Sequence, residues 1–185
     1  MPATAHVPAP KGNESPAKLA HVVLRTNRLE EMRSWYTTVL GAEAMFANDR
    51  IVFLTYDDEH HRLALIKRHN LTEPREDTVG LDHFAFSHRD LASLVAAYQR
   101  LAAKGIRPVW TINHGPTTSL YYKDPDGNRV ELQVDNFKSV AELNAWFSTG
   151  AFDRNPIGVE FDMSELTARF RNGEPDAELL FPPAR

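Results

Sequence analysis

The chain has 185 residues, 42% of them hydrophobic and 25% charged, and no apolar run long enough to span a bilayer, so a soluble globular protein without a membrane partner is expected. A net charge of −4 and a pI near 6.1 provide no broad basic field for phosphates, which argues against a nucleic acid partner. With no cysteine, disulfides, thiolate catalysis and cysteine-bound zinc or iron–sulfur clusters are ruled out, and any metal must rest on His, Asp and Glu.

Residues 1–17 are rich in Pro, Ala and polar side chains and lack a basic stretch followed by an apolar one. They read as a flexible N-terminal arm, and the expected location is cytoplasmic. A first module follows over 18–78. Lys18 to Leu24 is a strand-like run carrying His21, and it leads into an amphipathic helix with Leu29, Met32, Trp35, Tyr36, Val39 and Leu40 on one face. Asn27 and Glu30 read as the capping pair of that helix and Gly41 as its stop. Extended runs at 44–46, 51–56 and 62–67 complete the module.

A second module, 79–137, repeats the order. Gly80 to Phe86 carries His83 where the first module carries His21, and the next helix has Leu91, Leu94, Val95, Tyr98 and Leu101 on one face, Asp90 as cap and Gly105 as stop. Extended runs at 107–112, 119–122 and 129–134 follow. Each module is a βαβββ unit that cannot bury a sheet face alone. The expected fold is therefore α+β: two paired βαβββ modules forming an open, cleft-bearing, barrel-like mixed sheet, with arms at both ends. Residues 138–185 read as a C-terminal helical arm. Ser139 to Glu142 opens one helix through Trp146 and Phe147, and Asp162 caps another with Leu166, Phe170 and a stop at Gly173. The arm's Trp146, Phe147, Phe152, Leu179, Leu180 and Phe181 exceed what a free tail exposes. Such an arm covers its own sheet, closes the cleft or wraps a neighbouring copy, and a homo-oligomer is expected.

Pseudo-two-fold pairing of the modules would bring His21 and His83 to one cleft, where Glu131 joins them from the last strand of the second module. Two imidazoles and one carboxylate make a facial triad suited to Fe(II), with Mn(II) able to use the same ligands. Aligning 62–65 with 129–132 sets Ala64 opposite Glu131, so the first module supplies no fourth ligand. The stretch 112–131 also gathers His114, Tyr121 and Glu131 around one tight Asp124-Pro125-Asp126-Gly127 turn between two strand-like segments, an arrangement that can aim all three at one point. Asp124, Asp126 and Asn128 read as turn formers, while His88 and His6 read as solvent-exposed. Trp110, Phe46, Phe53, Phe84, Phe86 and Tyr122 are candidates for a pocket wall, of which strand alternation turns about half elsewhere.

At His114, Leu120-Tyr121, Asp124-Pro125, Gly127 and Glu131 the chain resembles the vicinal oxygen chelate superfamily, and within it the small two-module type I extradiol dioxygenases. A paired histidine before a small apolar strand, Glu59-His60-His61-Arg62-Leu63-Ala64-Leu65, is a second element of the likeness, which covers about residues 18–137. The resemblance implies His21, His83 and Glu131 as ligands of Fe(II) or Mn(II), and His61 as an acid–base residue near the metal. It implies His114 and Tyr121 as hydrogen-bonding partners of a bound diol. His60, expected on the other side of a strand from His61, and His69 compete for the acid–base role. The implied substrates are a catechol or aryl-catechol and O2, cleaved beside the diol with both oxygen atoms incorporated. Other enzymes of the superfamily are the alternative: a glyoxalase-like lyase, for which a fourth ligand would be expected where Ala64 stands, an epimerase or a fosfomycin-modifying transferase. A metal-free module that binds an aromatic ligand is a third reading.

Overall fold

A computed structural model describes residues 15–72 and 77–181, so most of the expected N-terminal arm lies outside the described residues. They fall into two compact units. One holds 15–72 and 77–83 together with the turn 123–129, and the other holds 84–122 and 130–181.

In the first unit β1 (Val22–Thr26), helix α1 (Leu29–Leu40), β2 (Glu43–Ala47), β3 (Ile51–Thr55) and β4 (Leu63–Lys67) form a sheet of order β1-β4-β3-β2. β1 runs parallel to β4, and the other two pairings are antiparallel. The helix lays Leu29, Met32, Tyr36 and Val39 against β3 and β4, where Val52, Leu54, Leu63 and Leu65 are fully buried. Trp35 and Leu40, expected on the same face, are half-buried at its margin. Gly41 ends the helix at φ 64°, a left-handed conformation that favours glycine. The expected Asn27 and Glu30 cap is not formed. Arg28 is the N-cap and makes no side-chain cap bond. Asn27 instead pairs with the backbone of Leu71, donating to its carbonyl at 2.9 Å and accepting from its N–H at 3.2 Å. That long-range pairing satisfies two backbone groups and draws the side chain away from the helix.

In the second unit, apart from the strand-end residues His83, Lys123 and Arg129, β5 (His83–Ser87), helix α2 (Leu91–Ala102), β6 (Trp110–Asn113), β7 (Thr117–Lys123) and β8 (Arg129–Asp135) repeat the pattern. Their order β5-β8-β7-β6 matches that of the first sheet strand for strand. The expected Asp90 cap is present as a reciprocal box: Asp90 accepts from the Ser93 N–H and the Ser93 hydroxyl accepts from the Asp90 N–H. All five apolar residues expected on the α2 face are buried. The α+β class and the repeated βαβββ order are thus as the sequence implies, carried by two open sheets rather than a closed barrel. No helix among the described residues is long and apolar enough to cross a membrane.

The C-terminal segment contributes α3 (Val140–Phe147), α4 (Ala151–Arg154), β9 (Val159–Glu160), α5 (Met163–Arg171) and α6 (Asp176–Leu180). Ser139 and Asp162 cap α3 and α5 as their sequence signals indicate. Glu142, however, accepts from the N–H of Lys138 at 2.9 Å rather than closing a box on Ser139. β9 had no sequence signal; it extends the second sheet by pairing with β6, Ile112 opposite Glu160 and Asn113 opposite Val159. Asn113 Nδ2 also donates to the carbonyl of Leu180 at 2.5 Å, and Phe137, Trp146, Phe147, Phe152 and Phe181 form one aromatic cluster. The arm is therefore anchored on its own unit.

Candidate active site

In the first unit two strand entries meet. β1 and β4 run parallel with Val22 beside Leu63, and the Val22 N–H donates to the Arg62 carbonyl at 3.0 Å. The residues just before those strands, His21 and His61, are consequently neighbours, with ring centroids 4.4 Å apart. The loop that carries His61 is held by Arg62, which bonds Asp57 at 2.9 Å and the Leu19 carbonyl at 2.8 Å. On its other side His61 stacks on Phe53 of β3, 4.4 Å apart and inclined by 13°. Burial, then the neighbouring His21 and His60, hold the His61 imidazole below its ordinary value, so it is a neutral base near pH 7. His60 does not face the opposite side of a strand. Both histidines lie in the loop ahead of β4, where alternation does not apply, and their Nδ1 atoms stand 2.5 Å apart.

His83 opens β5 and is half-buried. Its Nδ1 lies 2.6 Å from Asp82 Oδ1, and Asp82 is 3.6 Å from Arg129. The hydrogen bond from His83, with Arg129 nearby, holds the Asp82 carboxyl below its ordinary range. A carboxylate on one ring nitrogen fixes the imidazole's orientation and tautomer. Asp82 was not singled out from the sequence, although a carboxylate adjoining a ligand-type histidine is a readable signal.

The same unit holds the signature turn. Asp124 is buried and its Oδ1 accepts from the N–H groups of Asp126 (3.0 Å) and Asn128 (2.8 Å), while Oδ2 accepts from Asn128 Nδ2 (2.8 Å) and the Tyr36 hydroxyl (2.7 Å). Arg28 Nη1 donates to the Pro125 carbonyl at 2.6 Å. Asp124 is thus a turn former, as its sequence position implies.

In the second unit His114 and Tyr121 come together across the β6–β7 hairpin. Trp110 pairs with Tyr121 in the ladder, and the His114 N–H donates to the Thr117 carbonyl at 2.9 Å. His114 Nε2 is 3.0 Å from the Tyr121 hydroxyl, and Nδ1 is 2.5 Å from the Ile157 carbonyl. A carbonyl only accepts, so Nδ1 carries the proton. In the neutral ring Nε2 is then the acceptor and Tyr121 the donor. Trp110 packs on Tyr121 at 4.9 Å and edge-on to His114 at 5.7 Å. It also borders an open cavity of about 440 Å³ with Val109, Thr111, Glu160, Phe161 and Asp162, and its Nε1 donates to Glu160 at 2.7 Å. Tyr122, a candidate wall residue, is fully buried in the core. Glu131 lies on β8 and is 4% exposed.

Among the described residues, neither unit by itself assembles three or more His, Asp or Glu side chains around a metal position. Of the expected triad, His21 and His83 lie in one unit and Glu131 in the other. His69 is exposed beyond β4.

The glyoxalase/bleomycin resistance protein/dioxygenase superfamily model matches residues 18–132. The chain is 45% identical over 159 residues to biphenyl-2,3-diol 1,2-dioxygenase 2 of Rhodococcus globerulus, covering 85% of this chain and 84% of that one. It is 44% identical over 164 residues to biphenyl-2,3-diol 1,2-dioxygenase 3 of the same organism, covering 88% and 86%. Among solved structures, lactoylglutathione lyase from Agrobacterium tumefaciens superposes with a TM-score of 0.53 at 25% identity, over 65% of this chain and 96% of the other.

Proposed function

The chain belongs to the glyoxalase/bleomycin resistance protein/dioxygenase superfamily, and on that premise we propose that it is an extradiol ring-cleavage dioxygenase acting on a catechol or aryl-catechol. The observation that carries this reading is the high identity to two biphenyl-2,3-diol 1,2-dioxygenases over nearly the full length of both partners. In the overall reaction the carbon–carbon bond beside the diol breaks, both atoms of O2 enter the product, and the ring opens to a yellow hydroxy-keto dienoate or semialdehyde.

That chemistry calls for a divalent metal, and the donor set fits one. His21, His83 and Glu131 offer two imidazoles and a carboxylate, the facial set that suits Fe(II) and also accepts Mn(II). The Asp82 contact to Nδ1 of His83 supports this reading, because it leaves coordination to Nε2 and fixes the ring's orientation. When bound, Fe(II) templates the diol and provides an electron route from the aromatic ring to O2.

The remaining steps belong to side chains. His61, neutral near pH 7, takes a proton from an incoming diol hydroxyl and returns it to the product. Phe53 keeps the His61 ring in one plane by stacking on it. Tyr121 and His114 share one hydroxyl proton, and a proton arriving at His114 makes both its nitrogens donors. Nε2 then donates to Tyr121, whose own proton turns toward a substrate oxygen. Trp110 shields this pair on one side.

The fold likeness to lactoylglutathione lyase favours a lyase as the second reading. Against it, Ala64 is buried on β4 beside Val23 and Phe53 and offers a methyl group where a fourth ligand would be needed. Turnover of catechol, 3-methylcatechol and 2,3-dihydroxybiphenyl under ¹⁸O2 tests the proposal. Two labelled oxygens in a ring-opened product support it, and an unlabelled ring-opened product, or no cleavage of any of the three, overturns it.

A further inference from the structure

The C-terminal segment reaches the His114–Tyr121 pair, and we infer that Gly158 is a positioning residue that acts through His114. This inference rests on the proposed catalytic role of His114. Three observations carry it. The Ile157 carbonyl lies 2.5 Å from His114 Nδ1 and dictates which ring nitrogen bears the proton. The next residue, Gly158, has φ 107°, and a Cβ there would collide with the Asn113 carbonyl oxygen and come within 2.8 Å of the His114 Cα. Both obstacles are backbone, so no side chain can swing aside to make room. Finally, the segment is built to hold this approach. Asn155 Nδ2 donates to the Gly158 carbonyl at 2.8 Å and its Oδ1 accepts from the Gly158 N–H at 3.0 Å. Directly afterwards, β9 pairs with β6, Val159 opposite Asn113.

The Ile157 side chain is exposed, so its contribution is the carbonyl alone. Pushing that carbonyl away from Nδ1 releases the ring to the other tautomer. Nε2 would then carry the proton and donate to Tyr121, removing the acceptor that orients the tyrosine hydroxyl. The arm thus sets the proton inventory of the pair from outside the βαβββ repeat.

A double-mutant cycle in kcat and KM, measured on the metal-loaded enzyme with 2,3-dihydroxybiphenyl, tests this. Gly158→Ala lowers kcat about 10- to 100-fold with KM changed less than about twofold. In a His114→Asn background the same substitution changes kcat by less than about twofold, because the residue it positions is gone. An equal loss in both backgrounds, or no loss in the parent, overturns the inference. Should Gly158→Ala not yield folded protein, Asn155→Ala removes the two side-chain bonds that hold Gly158 and enters the same cycle with the same criterion. The two failures separate cleanly. If His114→Asn alone keeps full kcat, the proposed role of His114 falls; if it loses kcat but Gly158→Ala is additive with it, only the positioning role falls.

Discussion

The Tyr36 hydroxyl donates to Oδ2 of Asp124 across 2.7 Å, joining helix α1 to the turn that separates Tyr121 from Glu131 along the chain. Burial pushes the Asp124 carboxyl above its ordinary value, opposed by hydrogen bonds from Asn128, Tyr36 and the turn's own N–H groups. Burial and the adjacent carboxylate push the Tyr36 phenol up as well, so it stays a protonated donor.

Replacing Tyr36 with Phe leaves a buried carboxylate one donor short, and a loss of about 1–3 kcal/mol in denaturant unfolding is expected. The pH dependence has a definite sign. A carboxyl raised in the folded state holds a proton that the unfolded chain has released, so stability from this group declines as pH rises from the ordinary carboxylate range to the native pKa, and is level above it. Loss of the Tyr36 bond moves the native value further up and extends that decline to higher pH. Carboxyl ¹³C titration of Asp124 in both proteins reads the shift directly.

Tyr121→Phe removes the hydroxyl that faces His114 and leaves His21, His83 and Glu131 in place. Metal content measured after desalting should match the parent, while kcat falls by about 100-fold. Full activity in this variant would remove Tyr121 from the proposed machinery.

His83→Ala deletes a ligand and should abolish stable metal retention. Asp82→Asn keeps the ligand and weakens the carboxylate that orients it, for which a loss of about 10- to 100-fold in metal affinity is expected. Competition with a chromophoric chelator measures both, and an unchanged affinity in Asp82→Asn would make the 2.6 Å contact to His83 incidental.

Gly115, next to His114, has φ 93°, and a Cβ there would stand 2.6 Å from Cζ2 of Trp146. Gly115→Ala therefore combines backbone strain with a steric clash, and a loss of more than about 1 kcal/mol is expected. Trp146→Leu in the same protein relieves the clash but not the strain, so thermal melts of the pair should show less than additive destabilisation.

The repeat was legible because its signals are local. Apolar residues at helical spacing, the glycine at 41 and the Asp90 cap each announce an element within a few residues of themselves. What escaped is decided by distant partners. Asn27 has the composition of a cap but meets Leu71. β9 is two residues long and exists only through its pairing with β6. Alternation would set His60 on the far side of a strand from His61, but the backbone there is a loop. Of the site, the sequence motif names His114 and Tyr121, and the hairpin brings them within 3.0 Å. The carbonyl of Ile157, 43 residues away on the chain, had no signature because any residue supplies a carbonyl.

Oxygen uptake by Fe(II)-reconstituted protein, given catechol, 3-methylcatechol or 2,3-dihydroxybiphenyl with the visible spectrum recorded alongside, tests the central claim most directly. The account predicts one O2 consumed per diol and a yellow product from at least one of the three. Tight metal binding with no oxygen uptake on any diol would contradict it and favour the lyase reading.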